Sequence, residues 1–235
     1  MTKLFSSLIA LAAVGVASVT PLAMAQAPAA PAAATAPAAA PAQGGAKTIE
    51  AKVAMCIGCH AIPGYQSSFP EVHRVPMISG QNAKYIVAAL NAYKAGDRKH
   101  PTMRGIAEGL SEQDMADIAA YYEKQAKPAV GEKPSREPSP QVAALLNKAA
   151  CASCHGANYS KTVDPSYPKI GGQHPDYLFV ALKSYKAEPN NVVGRNNGVM
   201  GGIVKQFSNA ELKALAQYIG SLQGEMQVQP QSRFR

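Results

Sequence analysis

All four cysteines of the chain sit in two copies of one motif, Cys56-Ile57-Gly58-Cys59-His60 and Cys151-Ala152-Ser153-Cys154-His155, and the surrounding sequence repeats with them. Placing Cys56 on Cys151 puts Pro76 on Pro168 and Gly80-Gln81 on Gly172-Gln173 after a gap of three residues. The frame then holds. Tyr85 falls on Tyr177, Ala89-Leu90 on Ala181-Leu182 and Tyr93-Lys94-Ala95 on Tyr185-Lys186-Ala187, with eight of the 16 positions from 80 to 95 identical. After a five-residue insertion in the second half, Met103 falls on Met200, Ser111 on Ser208 and Tyr121 on Tyr218. Self-similarity of this kind marks a duplicated unit, so the chain is expected to fold as two similar halves, each built round one motif.

Both halves read as helical. Ser111 with Asp114 and Ser208 with Glu211 fit the Ser-x-x-acid pattern that starts a helix, and apolar residues follow at helical spacing: Met115, Ile118, Ala119 and Tyr122, then Leu212, Leu215, Ala216 and Ile219. Further helices are expected over residues 82 to 95 and 175 to 187, and no stretch shows strand-like alternation. The segments between are rich in Gly and Pro, so each half has too little core of its own unless a large apolar ligand completes it.

The ends of the chain read differently. Lys3, the apolar run Leu4 to Val19 and the small-x-small site Ala23-Met24-Ala25 form a secretory signal over residues 1–25, too short and too closely followed by Pro21 for a membrane span. Residues 26–46 are a disordered Ala/Pro-rich leader, which inflates the apolar share of 47% without adding core. A Pro-rich break runs from Lys127 to Pro140 and marks a linker in which Pro128, Pro134, Pro138 and Pro140 stop any helix. No later stretch is apolar enough to span, so the mature protein should have no transmembrane segment. Loss of the signal removes one lysine and takes the net charge from +8 to +7. That excess is scattered rather than clustered, which argues against nucleic acid as a partner.

A Cys-x-x-Cys-His unit has a specific use in c-type haem attachment: two thiols at this spacing add across the two vinyl groups of haem, and the adjacent His reaches the iron. The competing uses are a redox-active dithiol, structural disulfides or a four-Cys zinc site. A thioredoxin-like dithiol needs a strand-helix setting absent here, and zinc does not explain a His directly after both pairs. Two covalently bound haem c groups are therefore expected, and their four propionates would lower the net charge to about +3 before the irons are counted.

The repeated order of Cys-x-x-Cys-His, then Pro-x-x-x-Gly-Gln, an aromatic-rich helix, and Met before a Ser-capped helix resembles the two-domain class I cytochromes of the cytochrome c4 type. The resemblance covers residues 47–224 and implies an all-α fold of two tandem class I cytochrome c domains, each a few helices around one covalent haem. Domain 1 would occupy 47–126 and domain 2 141–224, with 127–140 as linker and 225–235 as C-terminal tail. It also implies packing near a pseudo-twofold axis, haem propionates facing each other, and electron transfer in the periplasm.

Repeat symmetry then singles out the sixth ligands. Met103 lies 43 residues after His60 and Met200 lies 45 after His155, at matching places, whereas Met55, Met77 and Met115 fall on Ala150, Lys169 and Leu212. The axial pairs are thus His60 with Met103 and His155 with Met200, and the rival in the first half is His100. A thioether ligand raises the haem potential. By the same resemblance Pro76 and Pro168 supply the carbonyls that accept from the two histidines. Gln81, Gln173, Tyr93, Tyr185 and Arg98 are candidates to reach propionates, the alternative being ordinary helix-surface polarity. The segment Gly64 to Met77 departs from the family pattern and is a candidate lining of an exposed haem edge or a docking element for a partner. With both axial positions filled by protein the expectation is a carrier, not an enzyme. It would shuttle electrons between a quinol:cytochrome c reductase or dehydrogenase and a terminal oxidase in the periplasm, with peripheral membrane association compatible. The alternatives are a cytochrome subunit of a periplasmic dehydrogenase complex or, less favoured, a dihaem oxidoreductase.

Overall fold

The computed structural model describes residues 47–187 and 192–231, so the signal, the leader and part of the second-half insertion lie outside the described residues. The first half contains α1 (Ile49–His60), a short hairpin of β1 (Gln66–Ser67) and β2 (His73–Arg74), α2 (Ala83–Ala95), α3 (Pro101–Glu108) and α4 (Glu112–Glu123). The second half contains α5 (Pro140–Ala149), α6 (Ala152–His155), α7 (Pro175–Lys186), α8 (Gly198–Val204) and α9 (Asn209–Gly220).

The helix starts obey the local chemistry. Ser111 Oγ accepts from Asp114 N at 3.1 Å while Asp114 Oδ2 accepts from Ser111 N at 3.2 Å, and Ser208 with Glu211 does the same at the head of α9. Each box satisfies two backbone donors that a helix start would otherwise leave bare. Pro140 does not stop a helix: it is the first residue of α5, where its missing N–H costs nothing, and Ser139 caps it. The two halves differ at the motif. In the first, α1 runs unbroken to His60, whereas in the second Ala150 turns left-handed at φ 48° and separates α5 from α6.

Each half has its own core. In the first, Val53 and Ile57 of α1 meet Ile86, Leu90 and Tyr93 of α2, Ala107 of α3, and Met115, Ile118, Ala119 and Tyr122 of α4. In the second, Leu146 and Leu178 meet Val204, Phe207, Leu212, Leu215 and Ile219. The apolar residues predicted on α4 and α9 all point inward.

A returning segment and a hairpin are among the features that join the halves. The segment after α9 is no loose tail up to Ser79's strand partner: it returns to the first half, where Gln227 N donates to Ser79 O at 3.0 Å and Lys127 N to Glu225 O at 2.8 Å. Gly80 makes room for it. Its φ is +86°, and a Cβ there would stand 2.6 Å from Glu225 O and 2.8 Å from Ala126 Cα, so the repeated Gly-Gln pair is a close-approach site. The second feature is the hairpin, which the alternation test missed because its strands are two residues each. It docks on α7. Arg74 donates through its backbone N and Nε to Asp176 Oδ2, both at 3.0 Å, Glu71 pairs with Lys183, and the His73 ring lies 6.1 Å from that of Tyr177. The segment from Gly64 to Met77 therefore straps the first half to the second, with Arg74 and Glu71 both paired to residues of α7.

Candidate functional site

The motif cysteines emerge from helical backbone on the core side of each half: Cys56 packs against the first core and Cys151 against the second. None of the four cysteines is joined to another in a disulfide. Burial pushes Cys56 and Cys151 up to about 11, which keeps them as thiols and removes the low-pKa thiolate that redox dithiols depend on. Among the described residues no three His, Cys, Asp or Glu side chains converge on a metal-sized point, so the two pairs do not assemble a shared zinc site.

The motif histidines are oriented identically. His60 Nδ1 lies 2.7 Å from Pro76 O, and His155 Nδ1 lies 2.9 Å from Pro168 O. A carbonyl only accepts, so Nδ1 carries the proton in each ring and Nε2 is left with its lone pair for a metal. Burial lowers both histidines' affinity for a second proton, against the pull of the proline carbonyl, and favours this neutral tautomer. Pro serves well as partner because it offers a carbonyl with no competing N–H.

The two symmetric methionines occupy equivalent turns. Each is the third residue of a short helix, α3 or α8, and packs partly buried against the same core as its half's first motif cysteine. Their backbone N–H groups are capped alike, Met103 N by His100 Nδ1 at 3.3 Å and Met200 N by Asn197 Oδ1 at 2.9 Å. His100 thus has a task of its own: it caps α3, with its ring edge-on to Phe69 at 5.6 Å. The unpaired methionines are placed otherwise. Met115 is a core filler, Met55 is 66% exposed, and the backbone of Met77 is engaged by Gln173.

The glutamines of the repeat do something the sequence did not disclose. Gln81 Nε2 donates to Lys169 O at 2.9 Å and its Oε1 accepts from Lys169 N at 2.8 Å; Gln173 Nε2 donates to Met77 O at 2.9 Å and its Oε1 accepts from Met77 N at 3.1 Å. Lys169 is the repeat equivalent of Met77, so the same contact is exchanged in both directions across an approximate twofold axis. Met226 of the returning segment lies between, its Sδ 3.2 Å from Gln81 Nε2 and 3.7 Å from Gln173 Nε2. Both carboxamides thus bond to the backbone of the opposite half.

Tyr93, Tyr185 and Arg98 do gather at the junction, together with a residue that was overlooked, Arg195. The guanidinium of Arg98 stacks 4.4 Å from the Tyr93 ring centre and reaches Tyr85 Oη at 3.4 Å and Tyr177 Oη at 3.3 Å. Arg195 lies 5.3 Å from the Tyr185 ring centre and donates to the same Tyr177 Oη at 3.2 Å. The offset that carries Met103 onto Met200 carries Arg98 onto Arg195, so the signal was present in the repeat. Haem fits this setting on the donor set and on one orphan: buried Arg98 Nε has no hydrogen-bond partner among the described residues, as expected beside a site for a carboxylate.

The comparisons agree with this geometry. A family model described as Cytochrome c matches residues 141–223. Cytochrome c4 from Stutzerimonas stutzeri is 33% identical over 201 residues, covering 77% of this chain and 90% of that protein. A thiosulfate dehydrogenase electron acceptor from Stutzerimonas stutzeri strain A1501 is 29% identical over 188 residues, covering 77% and 83%. The crystal structure of reduced recombinant cytochrome c4 from Pseudomonas stutzeri superposes with a TM-score of 0.54 at 31% identity, covering 74% of this chain and 97% of that one.

Proposed function

Because this chain belongs to the cytochrome c4 family of dihaem electron-transfer cytochromes, we propose that it is a periplasmic carrier that takes electrons from a quinol-oxidising complex or a dehydrogenase and delivers them to a terminal oxidase. It carries two covalently bound haem c groups and is an electron carrier rather than an enzyme. Each haem supplies an iron that cycles between ferric and ferrous states. The observation that carries the reading is the duplicated arrangement of His60 with Met103 and His155 with Met200. With the proline-held histidine and the methionine of the capped turn both holding the iron, no coordination position would be left for a substrate.

The other residues serve that task. Cys56 and Cys59 hold one haem and Cys151 and Cys154 the other. Pro76 and Pro168 fix the histidine tautomer, and the helix caps His100 and Asn197 hold the turns from which the thioethers project. Gln81 and Gln173 lock the segments that follow Pro76 and Pro168 against the opposite half, which keeps the two centres at a fixed separation. We take residues 47–126 and 141–224 as the two domains. The signal-like segment over residues 1–25 supports export, and among the described residues no helix is long and apolar enough to cross a membrane.

A second reading, service to one dehydrogenase, is favoured by the similarity to thiosulfate dehydrogenase electron acceptors. Stopped-flow mixing separates the two. The oxidised protein is mixed in one arm with quinol and membranes containing a quinol-oxidising complex, and in the other with thiosulfate and a thiosulfate dehydrogenase. The carrier reading expects both haems to be reduced at least tenfold faster with the quinol arm than in membranes whose complex is inhibited. Reduction only in the thiosulfate arm would replace it with the second reading.

A further inference from the structure

The junction between the halves carries two guanidinium groups that no carboxylate pairs with among the described residues. The backbones at 98 and 195 pair as an antiparallel bridge, with Lys99 N donating to Gly194 O at 2.9 Å and Asn196 N to Asp97 O at 2.7 Å. Arg98 and Arg195 project from this bridge among Tyr85, Tyr93, Tyr177 and Tyr185. The adjacent acid, Asp97, turns outward to solvent and binds Asn196 Nδ2 at 3.2 Å. Neither arginine forms an ion pair with a described acidic side chain, although Arg74 nearby has Asp176.

Two like charges in a desolvated junction repel each other and forgo hydration, a cost of several kcal/mol unless anions face them. Phenols do not supply that charge at neutral pH. Burial works against ionisation of Tyr177, yet Arg195 and Arg98 pull it down to about 8, a measure of how strongly positive the place is. His100, which caps the turn that carries Met103, lies within electrostatic reach of both guanidiniums.

We propose that Arg98 and Arg195 form one cationic chamber on the approximate twofold axis that takes carboxylates from both haems, so that each haem's potential depends on the arginine of the other half. This rests on the dihaem reading above and adds a coupling to it. The two guanidiniums converge on a single acceptor, Tyr177 Oη, with one contributed by each half. A charge shared in this way acts on both irons, and a buried charge is little screened by salt. A nearby cation disfavours the ferric state, so removing it lowers the potential.

The test is a redox titration of the holoprotein carrying Arg195→Gln, with Arg195→Lys as the charge-keeping control. Haem content and the methionine-to-iron absorption are recorded first. With two haems per chain, both one-electron steps in R195Q should move to lower potential by about tenfold in the ferric/ferrous equilibrium, about 59 mV each, in low and high salt alike. R195K should leave both within threefold of wild type. Movement of one step alone, of neither, or of both in R195K as far as in R195Q would overturn the shared chamber and leave the carrier reading standing. Fewer than two haems in the wild-type protein would overturn both.

Discussion

In Met200→Ala, one haem of the two is expected to lose about 0.1 V or more of reduction potential, within the roughly 0.8 V over which axial ligands set haem potentials, and its reduced form to bind carbon monoxide rapidly. The wild-type protein should bind it slowly at both haems. The fold should tolerate the change, because Asn197 caps α8 through the backbone of residue 200 and the helix is anchored by Val204 and Phe207 in the core. What disappears is the thioether, and with it the preference for ferrous iron and the blockade of the sixth position. Met103→Ala should do the same to the other haem. There the outcome also decides His100, whose ring stays occupied as the cap of α3 between Phe69 and Tyr93. A potential unchanged in either variant, with no carbon monoxide uptake, would remove that methionine from the site.

The second large effect is expected at the exchanged glutamines. Replacing Gln81 and Gln173 together by alanine strips four hydrogen bonds from the backbones of residues 77 and 169. It also leaves those groups facing a junction that holds Met226 at 2% exposure. A buried polar group left without a partner costs about 1–3 kcal/mol, so the double variant should lose several kcal/mol of the stability that joins the halves. Each half keeps its own core. Denaturant unfolding followed by haem absorption and by helical circular dichroism should therefore change from a single transition to two that no longer coincide. A single transition with an unmoved midpoint would show that the hairpin and the returning segment suffice, through Arg74, Glu71 and Gln227.

What the sequence disclosed and what it hid divide along a physical line. Short-range chemistry was legible: the Ser-x-x-acid boxes open α4 and α9, and the helices expected over 82 to 95 and 175 to 187 are α2 and α7 with a residue or so of difference. Repetition carried information across the chain, and it placed Met103 and Met200 on equivalent capped turns. It had more to give, since the same offset pairs Arg98 with Arg195. Contacts between the halves were not legible, because nothing local in Gln81 announces a partner 88 residues away, or in Arg74 one 102 residues away. The hairpin escaped for a different reason: four strand residues cannot show a period. Pro140 was misread because proline ends a helix from within but begins one at its first turn.

Both irons are expected to carry a methionine thioether, which would close them to substrate and make the chain a two-centre carrier. That ligation is tested most directly by the weak red charge-transfer absorption of the oxidised wild-type protein, measured per chain against its haem content. Two haems and the band at the intensity of two methionine-ligated centres are predicted. Two haems with the band at half intensity, or without it, would contradict the account.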